Sequence, residues 1–116
     1  MNKIYYIATC DTCRKIIKSL PKNHNLLFRD IKQNPITIQE LEEMYQISGS
    51  YEALFSKKAQ LYTSLDLKNK SLTEADFKKY ILEHYTFLSR PVFCINSKIY
   101  IGNSSQNIQH VLKALA

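Results

Sequence analysis

The chain has 116 residues, 45% of them hydrophobic and 22% charged, an ordinary balance for one globular domain and not that of a disordered chain. It holds two glycines, Gly49 and Gly102, so neither a GxxxxGK[ST] nor a GxGxxG phosphate loop can be built, which excludes nucleotide chemistry of those two types. Sixteen Lys and Arg against ten Asp and Glu leave a charge of +6, which favours an anionic partner. The basic residues come in pairs such as Lys57-Lys58 and Lys78-Lys79, without the focused stripe of a nucleic-acid site, so direct nucleic-acid binding is not expected.

The apolar run Ile4 to Ala8 predicts a strand covered on both faces. A helix follows from about Asp11 to Leu20, with Cys13, Ile16, Ile17 and Leu20 on one stripe, and Pro21 ends it. Leu26 to Phe28 reads as a second strand, and the crossover makes the two strands parallel. Thr37 and Glu40 spell a capping box for a helix to about Gln46, with Ile38, Leu41 and Met44 or Tyr45 as its buried face. Ser48-Gly49-Ser50 breaks the chain before a short helix from Tyr51 to Phe55. Thr73 opens another helix, with Phe77, Tyr80, Ile81 and His84 on one face. After Pro91, Val92–Ile95 and Lys98–Ile101 flank Asn96-Ser97 as an antiparallel hairpin. A last helix sets Ile108, Val111, Leu112 and Leu115 inward. The order β-α-β, three helices, β-β-α is that of an α/β fold, a four-stranded mixed sheet flanked by helices.

The N-terminal apolar run is too short for a signal peptide, and no run approaches the roughly 20 residues of a membrane span, so a cytoplasmic protein is expected. In that compartment a close cysteine pair is catalytic or metal-binding more often than structural. Cys10-Asp11-Thr12-Cys13 is a CxxC at the junction of the first strand and first helix. A helix N-terminus lowers a thiol's pKa through its free N–H groups and positive dipole end, so Cys10 is placed to be a nucleophilic thiolate. Cys13 lies one turn on, facing the core, and can attack a bond made at Cys10. Thr12 would line the pocket, and Arg14 and Lys15 add positive charge. CxxC in a βαβ setting reads as a thioredoxin-like redox motif.

A zinc site would need a second ligand pair, and His24 has none near it, so no metal is expected. A haem attachment fails because Arg14 stands where CxxCH needs histidine. Two cysteines that only fill space would explain Cys13 but not the polar, turn-placed Cys10. Cys94, between Phe93 and Ile95, reads as core filler, and His84 and His110 as helix-face residues. Arg90, before Pro91 at a strand start, is a planar cation able to hold an oxyanion or a carboxylate with two parallel bonds.

Four segments together resemble the arsenate reductase-like branch of the thioredoxin superfamily, which includes the Spx transcriptional regulators. They are Thr9 to Lys15, Phe28 to Ile31, Tyr51 to Lys58 and Phe87 to Val92, spread over nearly the whole chain. The resemblance implies a single thioredoxin-like domain over residues 1–116, with a helical insertion at about 37–85 between its βαβ and ββα halves. It implies that Cys10 is the nucleophile, that Arg90 precedes a cis proline at Pro91, and that Pro91 shapes the wall on which a peptide or glutathione lies. The arsenate enzymes of this branch use three arginines and lack the second cysteine. Here Leu61 to Ser64 and Tyr100 to Asn103 hold no arginine, which speaks against arsenate as substrate. The expected function is therefore a thiol–disulfide oxidoreductase. Cys10 attacks a small disulfide, a redox-protein partner or an oxyanion, and Cys13 resolves the adduct. No cofactor is bound; glutathione, a thioredoxin or a glutaredoxin serves as reductant. The alternative is a redox-sensing regulator like Spx that contacts RNA polymerase, against which the chain ends at Ala116 with no extra tail.

Overall fold

The computed structural model describes residues 2–116. Along the chain the elements are β1 (Lys3–Tyr6), α1 (Asp11–Ser19), β2 (Leu27–Asp30), α2 (Ile38–Ser48), α3 (Tyr51–Leu54), α4 (Gln60–Ser64), α5 (Glu74–Glu83), β3 (Val92–Ile95), β4 (Lys98–Ile101) and α6 (Ser105–Leu115), with 3₁₀ turns at Leu67–Asn69 and Tyr85–Phe87. They fall into two compact units. One comprises the described residues up to Asn34 together with Arg90–Ala116, and the other Pro35–Ser89.

The first unit is a mixed sheet in the order β2-β1-β3-β4. The crossover through α1 makes β1 and β2 parallel, with Ile4 opposite Phe28. β3 runs antiparallel to β1, Ile4 opposite Phe93, and pairs antiparallel with β4 through the hairpin. Asn96 and Ser97 both have positive φ, at 51° and 65°, the backbone hand that suits the twist of the strands they join. Ile4, Phe93 and Ile95 from the central strands pack with Ile16 and Leu20 of α1, Leu26 and Val111 of α6. Ile4, Phe93, Ile95 and Val111 lose all contact with solvent.

β2 lies two residues beyond the end expected for it and forms the sheet edge. Leu26 is buried just before it, whereas Leu27 and Phe28 are 50% and 42% exposed. A short apolar run does not reveal whether its strand has one neighbour or two. Cys94 also departs from expectation: it is half-buried, its neighbours Phe93 and Ile95 fully so.

The second unit is helical. The capping box of α2 forms as read, Thr37 Oγ1 accepting from Glu40 N–H at 3.1 Å and Glu40 Oε1 from Thr37 N–H at 3.0 Å. α2 runs two residues past Gln46 and stops at Gly49, whose φ of 74° is the left-handed conformation that lets the terminal N–H reach back to Tyr45. Leu41 and Met44 are buried, but Ile38, expected with them, is 58% exposed in the first turn. α3 is capped twice, by Ser50 and by the Glu74 carboxylate, which accepts from Tyr51 N–H at 2.7 Å and Glu52 N–H at 3.1 Å. α4 and the two 3₁₀ turns went unread because they are short, and α4 begins at Ala59 without a capping side chain. His84 does not lie on a helix face; it ends α5, and its Nδ1 accepts from Thr86 N–H in the turn that follows. Phe55 stacks on Phe87 and touches Phe77, the aromatic centre of this unit.

No helix among the described residues is long and apolar enough to cross a membrane.

Candidate active site

Every residue singled out for chemistry lies in the sheet unit, at one end of β1. Beyond Tyr6 the chain turns, with Cys10 N–H donating to the Ile7 carbonyl at 3.0 Å. Cys10 takes the cap position of α1 in extended conformation, and its carbonyl accepts the first helical bond from Arg14 N–H at 3.0 Å. The side chain thereby sits where the first N–H groups of the helix have no backbone partner. Cys10 is half-buried and Cys13 wholly buried.

The two thiols are shifted in opposite directions. Partial burial works to raise Cys10. The N–H of Cys13, the thiol of Cys13, the N–H of Thr12 and the charge of Arg90 together outweigh it and hold the group below its ordinary value. Cys13 is pushed up to about 11, first by burial, and further because its proton is donated to Cys10 and because a charge on Cys10 repels a second one; the Ile7 N–H and Arg90 offset this in part. As pH rises, Cys10 therefore loses its proton before Cys13 does.

Strand pairing explains how Arg90, 80 positions from Cys10 in the chain, comes to act on both sulfurs. β3 is antiparallel to β1 and its first residue, Val92, faces Tyr5, so the residues before Val92 run alongside the turn that follows β1. Arg90 is half-buried there, and its Nε lies within the protein. The Arg90–Pro91 bond is cis, as the resemblance implied. Pro91 is buried, and its carbonyl accepts from Gly102 N–H at 2.9 Å. Thr12 is exposed in the first turn of α1.

Arg14 is differently engaged from what spacing suggested. Its Nη2 lies 3.3 Å from Asp11 Oδ1 and donates to the Thr9 carbonyl at 3.3 Å, so its guanidinium is held between the first turn of α1 and the loop before it. Asp11 went unremarked in the sequence, although an acid three positions before an arginine at a helix start is a readable signal. The Ile7 N–H facing Cys13 carries no such signal. His24 serves its own loop, Nδ1 accepting from Leu26 N–H at 2.9 Å. Among the described residues no group of three or more His, Cys, Asp or Glu is gathered to hold a metal.

A cysteine of lowered pKa at a helix start, a buried second cysteine of raised pKa behind it and an arginine before a cis proline accompany a four-stranded mixed sheet. Residues 5–111 match the family model described as the ArsC family. The chain belongs to the ArsC family. Within it, the chain is 26% identical over 114 residues to the global transcriptional regulator Spx 1 of Bacillus cereus, covering 97% of this chain and 87% of that one. It is equally, 26%, identical over 112 residues to an arsenate reductase of Haemophilus influenzae, covering 94% and 97%. The solved structure of SACOL0876 from Staphylococcus aureus matches with a TM-score of 0.77 and 27% identity over 95% and 97% of the two chains. The family fold is thioredoxin-like, and the relatives of this chain include both transcriptional regulators and an arsenate reductase.

Proposed function

We propose that the protein is a thiol–disulfide oxidoreductase in which Cys10 is the nucleophile and Cys13 the resolving cysteine. The observation that carries this is the placement of the pair: half-buried Cys10 caps α1, where its pKa is lowered, and buried Cys13 lies behind it with its pKa raised. The Cys10 thiolate attacks one sulfur of a disulfide RS–SR′, forming a Cys10–S–S–R bond and releasing R′S⁻. Cys13 then gives up its proton and attacks the Cys10 sulfur, forming the Cys10–Cys13 disulfide and releasing RS⁻. Two electrons pass from the dithiol to the substrate, whose two thiolates take up protons. Bonding Cys10 to R removes its negative charge, and with it two of the influences that raise Cys13, so the inner thiol becomes more acidic once the adduct exists. Two glutathiones, or one thioredoxin- or glutaredoxin-type dithiol, restore the pair. Arg90 stabilises the thiolates that form and depart, and Pro91 forms the adjacent wall.

The test is reaction of the reduced protein with glutathione disulfide, followed by mass spectrometry. The wild type gives the internal disulfide, Cys13→Ser accumulates a single glutathione adduct on Cys10, and Cys10→Ser does neither. Adduct formation that survives Cys10→Ser overturns the assignment. The likeness to Spx 1 favours a second reading, in which the same pair is a sensor whose oxidation alters binding to RNA polymerase. Redox-dependent recovery of polymerase subunits with the tagged protein, without turnover of glutathione disulfide, would select it.

A further inference from the structure

The charge of the chain is divided between its two units. The sheet unit holds ten Lys and Arg against two acids, Asp11 and Asp30, a net +8. The helical unit holds six against eight, a net −2, and the two together make the +6 of the whole. Linear reading missed this because the basic residues follow helical spacing and the helical unit interrupts the sheet unit in sequence. On α1 and just past its end, Arg14, Lys15, Lys18 and Lys22 are all exposed, while Cys13, Ile16 and Leu20 turn inward. Lys18 in the last turn complements the helix dipole, but Arg14 and Lys15 stand in its first half, where the dipole disfavours cations. Asp11, the one acid of the helix, pairs with Arg14 and lies one turn before Lys15, and no acid of the helix stands within a turn of Lys18. Helix stability does not account for this face.

We propose that the outer face of α1, from Lys15 through Lys18 to Lys22, is a docking surface for an acidic protein or peptide that exchanges a disulfide with Cys10. The proposal rests on the oxidoreductase reading. The basic face begins about one turn from the reactive sulfur, with Lys15 and Lys18 about 4.5 Å apart along the helix axis and Lys22 just past its end, the reach of a short acidic segment. A partner held there presents its own sulfur to Cys10. A nucleic acid would meet the same charge but has no sulfur to exchange, so the position of the face beside Cys10 favours a protein. Such a field acts mainly on the rate of encounter and weakens with salt.

Two synthetic peptides, one rich in Glu and one in Lys, each carrying a single cysteine as its thionitrobenzoate mixed disulfide, supply the test, with 2-hydroxyethyl disulfide as a neutral reference. At low salt the acidic peptide reacts with the wild type at least about tenfold faster than the basic one, and the advantage fades by about 0.5 M salt. In Lys15→Gln/Lys18→Gln/Lys22→Gln the advantage falls to about twofold, while the rate with 2-hydroxyethyl disulfide is unchanged. Equal rates for the two peptides, or a preference that survives the triple substitution, overturns the proposal and leaves the oxidoreductase reading standing. Fluorescence anisotropy with a cysteine-free acidic peptide separates the two claims from the other side. Salt-sensitive binding lost in the triple variant supports the surface even if no disulfide is turned over, in which case it is the redox reading that fails. Tighter binding of a single-stranded oligonucleotide than of the acidic peptide overturns the choice of a protein partner.

Discussion

Raising the pH should reveal the two cysteines one after the other, and the interval can be worked out. Cys13 is pushed up to about 11, and Cys10 lies below its ordinary 9.0, so the gap exceeds two pH units. Iodoacetamide reacts with thiolates. At pH 8 about one Cys13 in a thousand is ionised, against more than about one in eleven for Cys10, a ratio of at least about 100 before access is considered. Cys13 is fully buried, which widens the difference. The assay is timed alkylation from pH 6 to pH 10, with each cysteine read by peptide mass spectrometry and Cys94 followed as a third site. Cys10 should be modified first throughout, and the midpoint of its rate against pH should fall below pH 9. Alkylation of Cys13 within tenfold of Cys10 at pH 8, or a Cys10 midpoint at or above pH 9, would refute the claim that the inner sulfur holds its proton longer.

The raised Cys13 pKa also has a sign in stability. A group that binds its proton more tightly when folded contributes fully below the unfolded pKa and loses that contribution as pH rises through the folded one. Relative to Cys13→Ala, the wild type should lose roughly 2–3 kcal/mol between pH 9 and pH 11, read from urea unfolding at each pH; an unchanged difference would count against the shift. Arg90→Gln should slow Cys10 alkylation at pH 7 by about threefold, the effect of one charge several ångströms away in a largely aqueous setting, and Arg90→Lys should recover most of it. Phe93→Ala, at a fully buried position opposite Ile4, should cost about 3–5 kcal/mol in chemical denaturation. Thr37→Ala removes one half of the α2 capping box and should cost about 1 kcal/mol.

Local chemistry was legible without coordinates. The strand before Cys10, the helix after it, the hairpin at Asn96-Ser97 and the Thr37 cap each announce themselves within a few residues, because periodicity, capping and turn geometry are short-range. So does the CxxC itself, since cap position alone predicts which sulfur is activated. What these signals do not carry is neighbourhood. Leu27 and Phe28 have the same apolar character as Ile4, yet their strand is the sheet edge and they stand in solvent. Cys94 lies between two fully buried residues and is itself half-exposed.

By itself, then, the sequence determined the longer elements and which cysteine of the pair caps the first helix, because both follow from short-range pattern and bonds made within one helical turn. Only the tertiary structure decided what surrounds that pair. Antiparallel pairing of β3 with β1 carries Arg90 across 80 positions to the two sulfurs, and gathering residues 2–34 with 90–116 concentrates the positive charge in the unit that holds them. Both are consequences of chain pairing at long separation, where the pattern of any one segment does not name its partner.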